Sequence, residues 1–468
     1  MTKPPRASRL LRYYLFRTRR LSRRQLGTLQ DWKMRVVFWI GALMVGLVTV
    51  GFAWVAELCA EAFAEMERHS SLWPVLITPL GMLATVFVMR RTGAESQGSG
   101  IPQVLVVLKQ RYHWLRPTFL SFRVIVMKFA LTCMGLLCGA SIGREGPSVH
   151  MGAAMMHSVG QVGRLHQKYV DNALIVAGGA AGVSAAFNAP LAGIVFAIEE
   201  LSGSFEQRTS GTLILAIILS GVVVLAIAGH YSFFGHPQGA LDITQDWLAI
   251  GVTGLVCGLL GGAFSRLLIT GSRFLAPYGR KHPYRVVLLC ALVLVLLGLV
   301  TGGMTYGSGY EQARHLLSGD ADGDWSFPLA KMAATLVSYF TGIPGGLFSP
   351  SLTAGAGVGN VIGGLFPDSS VVGITLVAMA AFLAGVIQRP ITSFVIVMEL
   401  TGNRHDILLP LMAGAFVAAA VAKLVWVRPL YDSLAERLQE GEGMALDRAR
   451  VVSTESGPPD ERGRGGGQ

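Results

Sequence analysis

Long uncharged apolar runs recur along most of this chain, at Val36–Ala56, Gly211–Ala228, Val286–Met304 and Val371–Ile387. Each is near the roughly 20 residues that a helix needs to cross a hydrocarbon core. Between them lie apolar stretches interrupted by Gly and Pro. The interruptions fall at Gly98-Ser99-Gly100-Ile101-Pro102, at Gly143-Arg144-Glu145-Gly146-Pro147, around Asn188-Ala189-Pro190, from Gly342 through Pro344, Gly345 and Gly346 to Pro350, and at Arg389-Pro390. This pattern predicts an all-α polytopic membrane protein whose helices are unequal and partly broken.

The breaks repeat. Pro190 to Glu199 aligns with Pro390 to Glu399 at an offset of 200, each with Glu nine positions after Pro, and Gly143 to Ala153 aligns with Gly346 to Ala356 at an offset of 203. Two matches at nearly one offset predict a duplicated unit, over about 70–225 and 245–425. Duplicated halves with interrupted helices in corresponding places characterise transporters whose substrate sits at mid-membrane between the repeats. The spacing Gly355-Ala356-Gly357-Val358-Gly359 has a dinucleotide-binding look, but it lies in a membrane segment with no acidic ribose-binding residue at the expected distance. It reads as close helix packing.

A helix that starts inside the membrane presents unpaired N–H groups and the positive end of its dipole, so several such starts aimed at one point make an anion site. Three starts are expected: after Gly98-Ser99-Gly100, after the Gly143 to Gly146 segment, and after Gly345 to Phe348. Pro102, Pro147 and Pro350 fall in the first turns, where a missing N–H costs nothing, and Ser99 adds a hydroxyl donor. Glu145 is the anomaly, because a carboxylate there competes with an anion for the same amides. It is read as a gate that occupies the anion's place when charged and swings out when protonated, or else as a dipole-complementing residue or a partner of Arg144. Glu199 and Glu200 end another apolar helix about 100° apart on its surface, so one of them faces the interior. Glu199 has a repeat counterpart in Glu399, which favours a structural role at a helix end. Glu200 corresponds to Leu400; an acid in one half alone suits one-sided proton uptake, or a solvated helix end.

Composition sharpens the class. Apolar residues are 52% and charged residues 14% of the chain, against about 25% charged in a soluble domain. The net charge of +11 is local: residues 1–36 carry eleven Lys/Arg (Lys3 to Arg35) against Asp31, and the rest sums to about +1. A basic arm before the first long run marks a cytoplasmic N-terminus, with Leu10, Tyr13, Tyr14 and Phe16 suited to an anionic lipid surface. That reading displaces nucleic-acid binding, and the run is too long for a cleaved signal. Cys59, Cys133, Cys138, Cys257 and Cys290 are odd in number and lack ligand spacing, so they read as packing residues. No nucleophile–base arrangement or His/Cys/Asp cluster appears in the spans, which disfavours an enzyme. An amino-acid or cation symporter is disfavoured because the breaks gather helix N-termini rather than carbonyls and acids.

The segments Gly98 to Pro102, Gly143 to Pro147 and Gly346 to Pro350, in this order, together with Asn188-Ala189-Pro190-Leu191-Ala192-Gly193, resemble the signature loops of the CLC chloride channel and transporter family. The resemblance extends over about 30–440. It implies an inverted repeat of about eighteen membrane helices in a homodimer with one anion pathway per subunit. It implies that Ser99 and Tyr431 coordinate the central chloride from the inner side, and that amides near Gly146, Leu347 and Phe348 complete the cradle. Glu145 is then the outer gate and Glu200 the internal proton acceptor. Without the resemblance, Tyr431 reads as an interfacial aromatic anchor. The acid at Glu200 resembles the proton-coupled exchangers, so chloride/proton antiport is expected, the alternative being a passive voltage- or pH-gated chloride channel of the same fold. Nitrate-preferring members have Pro in place of the serine, and fluoride-selective ones depart from these loops, so Ser99 implies chloride. The segment Gln103-Val104-Leu105 is less acidic than in some exchangers, which implies a different internal proton route. The expected organisation is a basic cytoplasmic arm (1–30), a transmembrane domain (31–440) and a disordered cytoplasmic tail (441–468) after a short amphipathic helix. The expected setting is the cell (inner) membrane, with chloride as substrate, no cofactor or metal, and both termini cytoplasmic.

Overall fold

A computed structural model describes residues 29–109, 114–165, 168–202, 210–229, 233–242, 244–319, 324–402 and 405–440. The basic arm up to residue 28 and the tail from 441 lie outside the described residues. In chain order the described α-helices longer than one turn are α1 (Leu29–His69), α2 (Trp73–Thr92), α3 (Ile101–Leu108), α4 (Phe122–Leu137), α5 (Glu145–Val162), α6 (Lys168–Phe187), α7 (Pro190–Phe196), α8 (Ser210–Ala228), α9 (Trp247–Lys281), α10 (Pro283–Val300), α11 (Tyr310–Leu316), α12 (Ser326–Phe340), α13 (Phe348–Gly364), α14 (Val371–Ile387), α15 (Pro390–Leu400), α16 (Leu408–Val425) and α17 (430–440), and a single turn, Arg116–Phe119, lies between α3 and α4. A π-helical turn, Ala197–Ser202, continues α7. No named strand occurs among the described residues.

The lengths are unequal for a physical reason. At about 1.5 Å per residue, the 41 residues of α1 make roughly 60 Å, twice a hydrocarbon core, whereas the 8 residues of α3 reach only part-way. Proline opens α2, α3, α7, α10 and α15 at the first or second position, where its missing N–H leaves nothing unpaired. Among the described residues, seven helices are long and apolar enough to span a membrane. Their apolar faces sort by depth: the apolar window of α6 is 89% buried inside the protein and that of α8 only 28%. The outward residues of α8 and α10, such as Leu215, Val222, Leu289 and Leu296, present the apolar surface that a bilayer covers.

The helices fall into two halves of matching lengths. Residue by residue count, α1 to α8 run 41, 20, 8, 16, 18, 20, 7 and 19, and α9 to α16 run 35, 18, 7, 15, 17, 17, 11 and 18. The match extends to α1, ahead of residue 70. The halves bond reciprocally, as a two-fold relation requires. Gly143 N donates to Gly346 O at 2.8 Å and Gly346 N to Gly143 O at 2.6 Å. Glu199 accepts from the Ile391 and Thr392 amides (3.2 and 2.6 Å) at the start of α15, and Glu399 accepts from the Leu191 and Ala192 amides (3.1 and 2.6 Å) at the start of α7. Each carboxylate caps the other half's helix, where it also meets the positive dipole end.

The core is built of two tightly packed helix pairs, α5/α6 in one half and α13/α14 in the other, and α14 is buried from Gly373 to Ile387. Backbones touch there. A Cβ on Gly152 would stand 2.2 Å from Gly178 O, and Cβ atoms on Gly355 and Gly359 would stand 2.8 Å from Ala378 O and 2.5 Å from Thr375 Cα. Close packing is therefore what the Gly355 to Gly359 spacing serves. Gly152→Val is expected to lower the melting temperature of the detergent-purified protein, at a cost of about 1–3 kcal/mol or more for overpacking. Gly364→Ala, which meets nothing within 4 Å, is the matched control, and equal melting temperatures for the two variants would contradict the packing argument. The five cysteines are free, and all but the half-buried Cys59 are buried.

Candidate anion site and its acids

The loop before α3 carries Ser99 between Gly98 (φ 69°) and Gly100 (φ 103°), conformations that only glycine adopts without strain. Two backbone bonds tie this loop to the loop before α13: Gly98 N donates to Gly342 O at 3.2 Å, and Gly345 N to Gly98 O at 3.3 Å. From α4, the fully buried Lys128 donates to Ser96 O and Gly98 O at 2.8 and 2.7 Å. Its counterpart on α12, Lys331, donates to Thr305, Tyr306 and Gly307 carbonyls at 3.0, 3.3 and 2.9 Å. Neither lysine was singled out in the sequence. The signal available was a Lys within each of two apolar helices, at the same 203-residue offset as Gly143 and Gly346.

The three expected helix starts meet. α3, α5 and α13 begin at Ile101, Glu145 and Phe348. A Cβ on Gly146 would lie 2.4 Å from Ser99 Oγ and 3.2 Å from Gly346 Cα, so only glycine leaves these three segments in contact. A fourth start joins them, because Tyr431 lies in the first turn of α17. The Phe348 ring stands 6.0 Å from that of Tyr431, 6.4 Å from Phe187 and 6.2 Å from Phe196. Leu347 and Phe348 are buried. Ser99 Oγ and Tyr431 Oη are buried and lie within electrostatic reach of one another, yet neither has a hydrogen-bond partner. Two buried hydroxyls without acceptors, beside several helix N-termini, form a donor set that fits a small anion. A cation would find the wrong ends of the dipoles.

Glu145, the first residue of α5, is buried and does not pair with Arg144. Its carboxylate crosses to the start of α13, where Oε1 accepts from Ser349 Oγ at 2.5 Å and Oε2 from Ser349 N at a long 3.5 Å. Gly143 and Gly346 make room for it: Cβ atoms there would come within 2.2 and 3.1 Å of Oε2. Arg144 turns away, donating to Ala53 O at 3.1 Å and lying over the Phe233 ring. A cavity of about 860 Å³ has Glu145, Arg144 and Ser349 in its lining, together with exposed Glu61 and Arg68.

Glu200 lies elsewhere, in the π-helical turn after α7, with no hydrogen bond to Glu145 among the described residues. It is the buried member of the Glu199–Glu200 pair, and Glu199 is half-buried. Arg389 Nε donates to Glu200 Oε2 at 2.8 Å. Such π turns gather at functional positions. No group of His, Cys, Asp and Glu with metal-holding geometry occurs among the described residues.

The chain matches the family described as voltage gated chloride channel over residues 80–423. It is 31% identical over 430 residues, 86% of this chain and 89% of the relative, to the H(+)/Cl(-) exchange transporter ClcA of Klebsiella pneumoniae. Its fold is similar to those of a slow cyanobacterial Cl-/H+ antiporter, with a TM-score of 0.75 at 23% identity covering 87% of this chain and 98% of that one, and of a CLC-type fluoride/proton antiporter, with a TM-score of 0.71 at 23% identity covering 86% and 99%. With the family match spanning most of the sequence, and duplicated helices that meet at the same glycine-marked starts, the chain belongs to the CLC family of voltage-gated chloride channels and transporters.

Proposed function

We propose that this protein is a secondary active transporter that exchanges chloride for protons, an integral multi-pass membrane protein with no resident cofactor. The observation that carries this reading is the Glu145 carboxylate on the amide and hydroxyl of Ser349 at the start of α13, in the place where a mobile anion would be held. A carboxylate and chloride that compete for one set of donors cannot both occupy it. Protonation releases Glu145 and admits chloride, so anion passage and proton movement are linked. Ser99 and Tyr431 hold the central chloride, with amides near Gly146, Leu347 and Phe348 around it, and Glu200 takes up protons on the other side. A homodimer in a lipid bilayer is the working assembly, placed in the cell (inner) membrane with both termini cytoplasmic; the arm to residue 30 and the tail from 441 flank the transport domain.

Reconstitution into liposomes under an outward chloride gradient, with chloride and pH recorded together, tests the reading. Protons are expected to move against their own gradient. Robust chloride flux with no proton movement would make the protein a passive chloride channel. Anion choice is tested in the same vesicles. A hydroxyl donor favours the strongly hydrated chloride, so Ser99→Pro is expected to raise nitrate transport relative to chloride by about tenfold, the loss of roughly one hydrogen bond to an ion. An unchanged ratio would leave Ser99 as a loop residue only.

A further inference from the structure

Glu200 is sealed from solvent, with its side chain 1% exposed. One oxygen, Oε2, is held by Arg389, while Oε1 is buried with no partner. Arg389 is 23% exposed, and its Nη2 donates at 2.9 Å to Asp432 Oδ2, on a side chain that is 37% exposed. Contacts therefore run from solvent inward through Asp432 and Arg389 to Glu200. Two other groups face this triad. Glu199 is within electrostatic reach of Glu200 and Arg389, but both its oxygens are taken by the Ile391 and Thr392 amides. Tyr431 senses Glu200 but is fully buried. Arginine keeps its proton in proteins. Asp432 is thus the carboxylate, among the described residues, that both reaches solvent and shares a counter-ion with Glu200.

We propose that Asp432 is the solvent-side proton acceptor that loads Glu200, with Arg389 as the counter-ion shared by the two carboxylates. The proposal rests on the exchange reading and assigns where its proton is taken up. With both acids ionised the triad carries one net negative charge. A proton from water forms an O–H bond on Asp432, and Arg389 stays paired with Glu200. The proton then passes through water to Oε1 of Glu200: the bond on Asp432 breaks, the bond on Glu200 forms, and Arg389 pairs with the newly ionised Asp432. The triad is neutral before and after this transfer, and at no stage does the guanidinium face two neutral acids. An unpaired buried charge, which would be costly, never arises. Asp432 follows Tyr431 directly, so the proton-uptake point and the proposed chloride ligand share one helix start.

The test uses the full chain in liposomes and compares wild type with Asp432→Asn, Asp432→Ser and Asp432→Glu, recording chloride efflux and proton uptake across a range of pH on the Asp432 side. Asn and Ser are expected to cut proton uptake by about a hundredfold, the low end of what a positioned proton-transferring side chain contributes, with chloride efflux kept. Glu is expected to restore proton uptake, with a shifted pH profile. A proton-to-chloride ratio in Asp432→Asn equal to that of wild type, with the same pH profile, overturns the proposal. Loss of chloride efflux in both neutral variants also overturns it, because Asp432 would then be a folding or gating residue. Failure of wild type itself to move protons removes the exchange reading, whereas coupled wild type with coupled Asp432→Asn removes only the role of Asp432.

Discussion

Glu145→Gln is expected to leave chloride moving while proton movement stops. In the native protein the carboxylate lies on Ser349 Oγ and N at the start of α13, wedged against Gly143 and Gly346. Hydrogen bonds to an ionised acceptor are about twice as strong as neutral ones, and the carboxylate gains further from the helix dipole. Gln keeps the shape but has no charge, so it competes weakly for the donors and cannot carry a proton. Buried polar groups stay matched, because its amide oxygen can still accept from Ser349, and the protein should fold. Proton uptake driven by chloride in liposomes should fall by about a hundredfold or more, in line with removal of an essential proton-transferring group. Persisting uphill proton movement would remove Glu145 from the gate.

Glu200→Gln is expected to stop coupled proton flux with chloride flux preserved. The acid makes no hydrogen bond to the unpartnered hydroxyls of Ser99 and Tyr431, so its replacement by Gln leaves the anion's donors in place. Removing one partner of a buried ion pair usually destabilises strongly, but here Arg389 retains Asp432 at 2.9 Å as a counter-ion, and Gln can still accept from its Nε. Folding should survive, with chloride efflux as the control. Glu199→Gln makes the contrast. It weakens two amide caps on α15, so it should lower thermal stability by about 0.5–2 kcal/mol, the range for a lost helix cap, and leave the proton-to-chloride ratio near wild type. If Glu199→Gln uncouples and Glu200→Gln does not, the two roles are exchanged. If both leave coupling intact, protons reach Glu145 by another path.

These contrasts show where local pattern suffices. Spans, helix starts and duplication are written in short windows: apolar runs of a membrane-crossing length, Gly and Pro where backbone must turn or lose an N–H, and the same words recurring 200 to 203 residues apart. Ile101, Glu145, Phe348 and Pro390 begin helices because the few residues around each dictate it. The pairing of Glu199 with Glu399 as structural residues was also legible from their repeat positions. Their exchange was not: each caps the other's helix, and only the docking of α7 against α15 shows that. The same holds for Glu145: its place at a helix start reads as a gate, with its own helix or Arg144 as the alternative partner, but only the fold shows that its carboxylate reaches across to Ser349.

Long-range partners needed the tertiary structure because nothing local specifies them. Ser99 and Tyr431 are hundreds of residues apart, and the close approach of Gly146 to Ser99 and Gly346 sets how closely the starts of α3, α5 and α13 converge. Lys128 carries no motif, and its carbonyl partners at Ser96 and Gly98 are brought to it by packing. Arg389 stands out only as the residue before the helix-breaking Pro390 and Asp432 carries no motif, and Glu200 acquires them only when the turn after α7 meets the starts of α15 and α17. The membrane class, the long spans, the three glycine-marked helix starts and the repeat follow from residue-level hydrophobicity and backbone preference. The folded packing alone decided which buried donors face one another without partners, which acid is sealed and which reaches water, because burial and charge pairing belong to the whole assembly of helices and to no single segment.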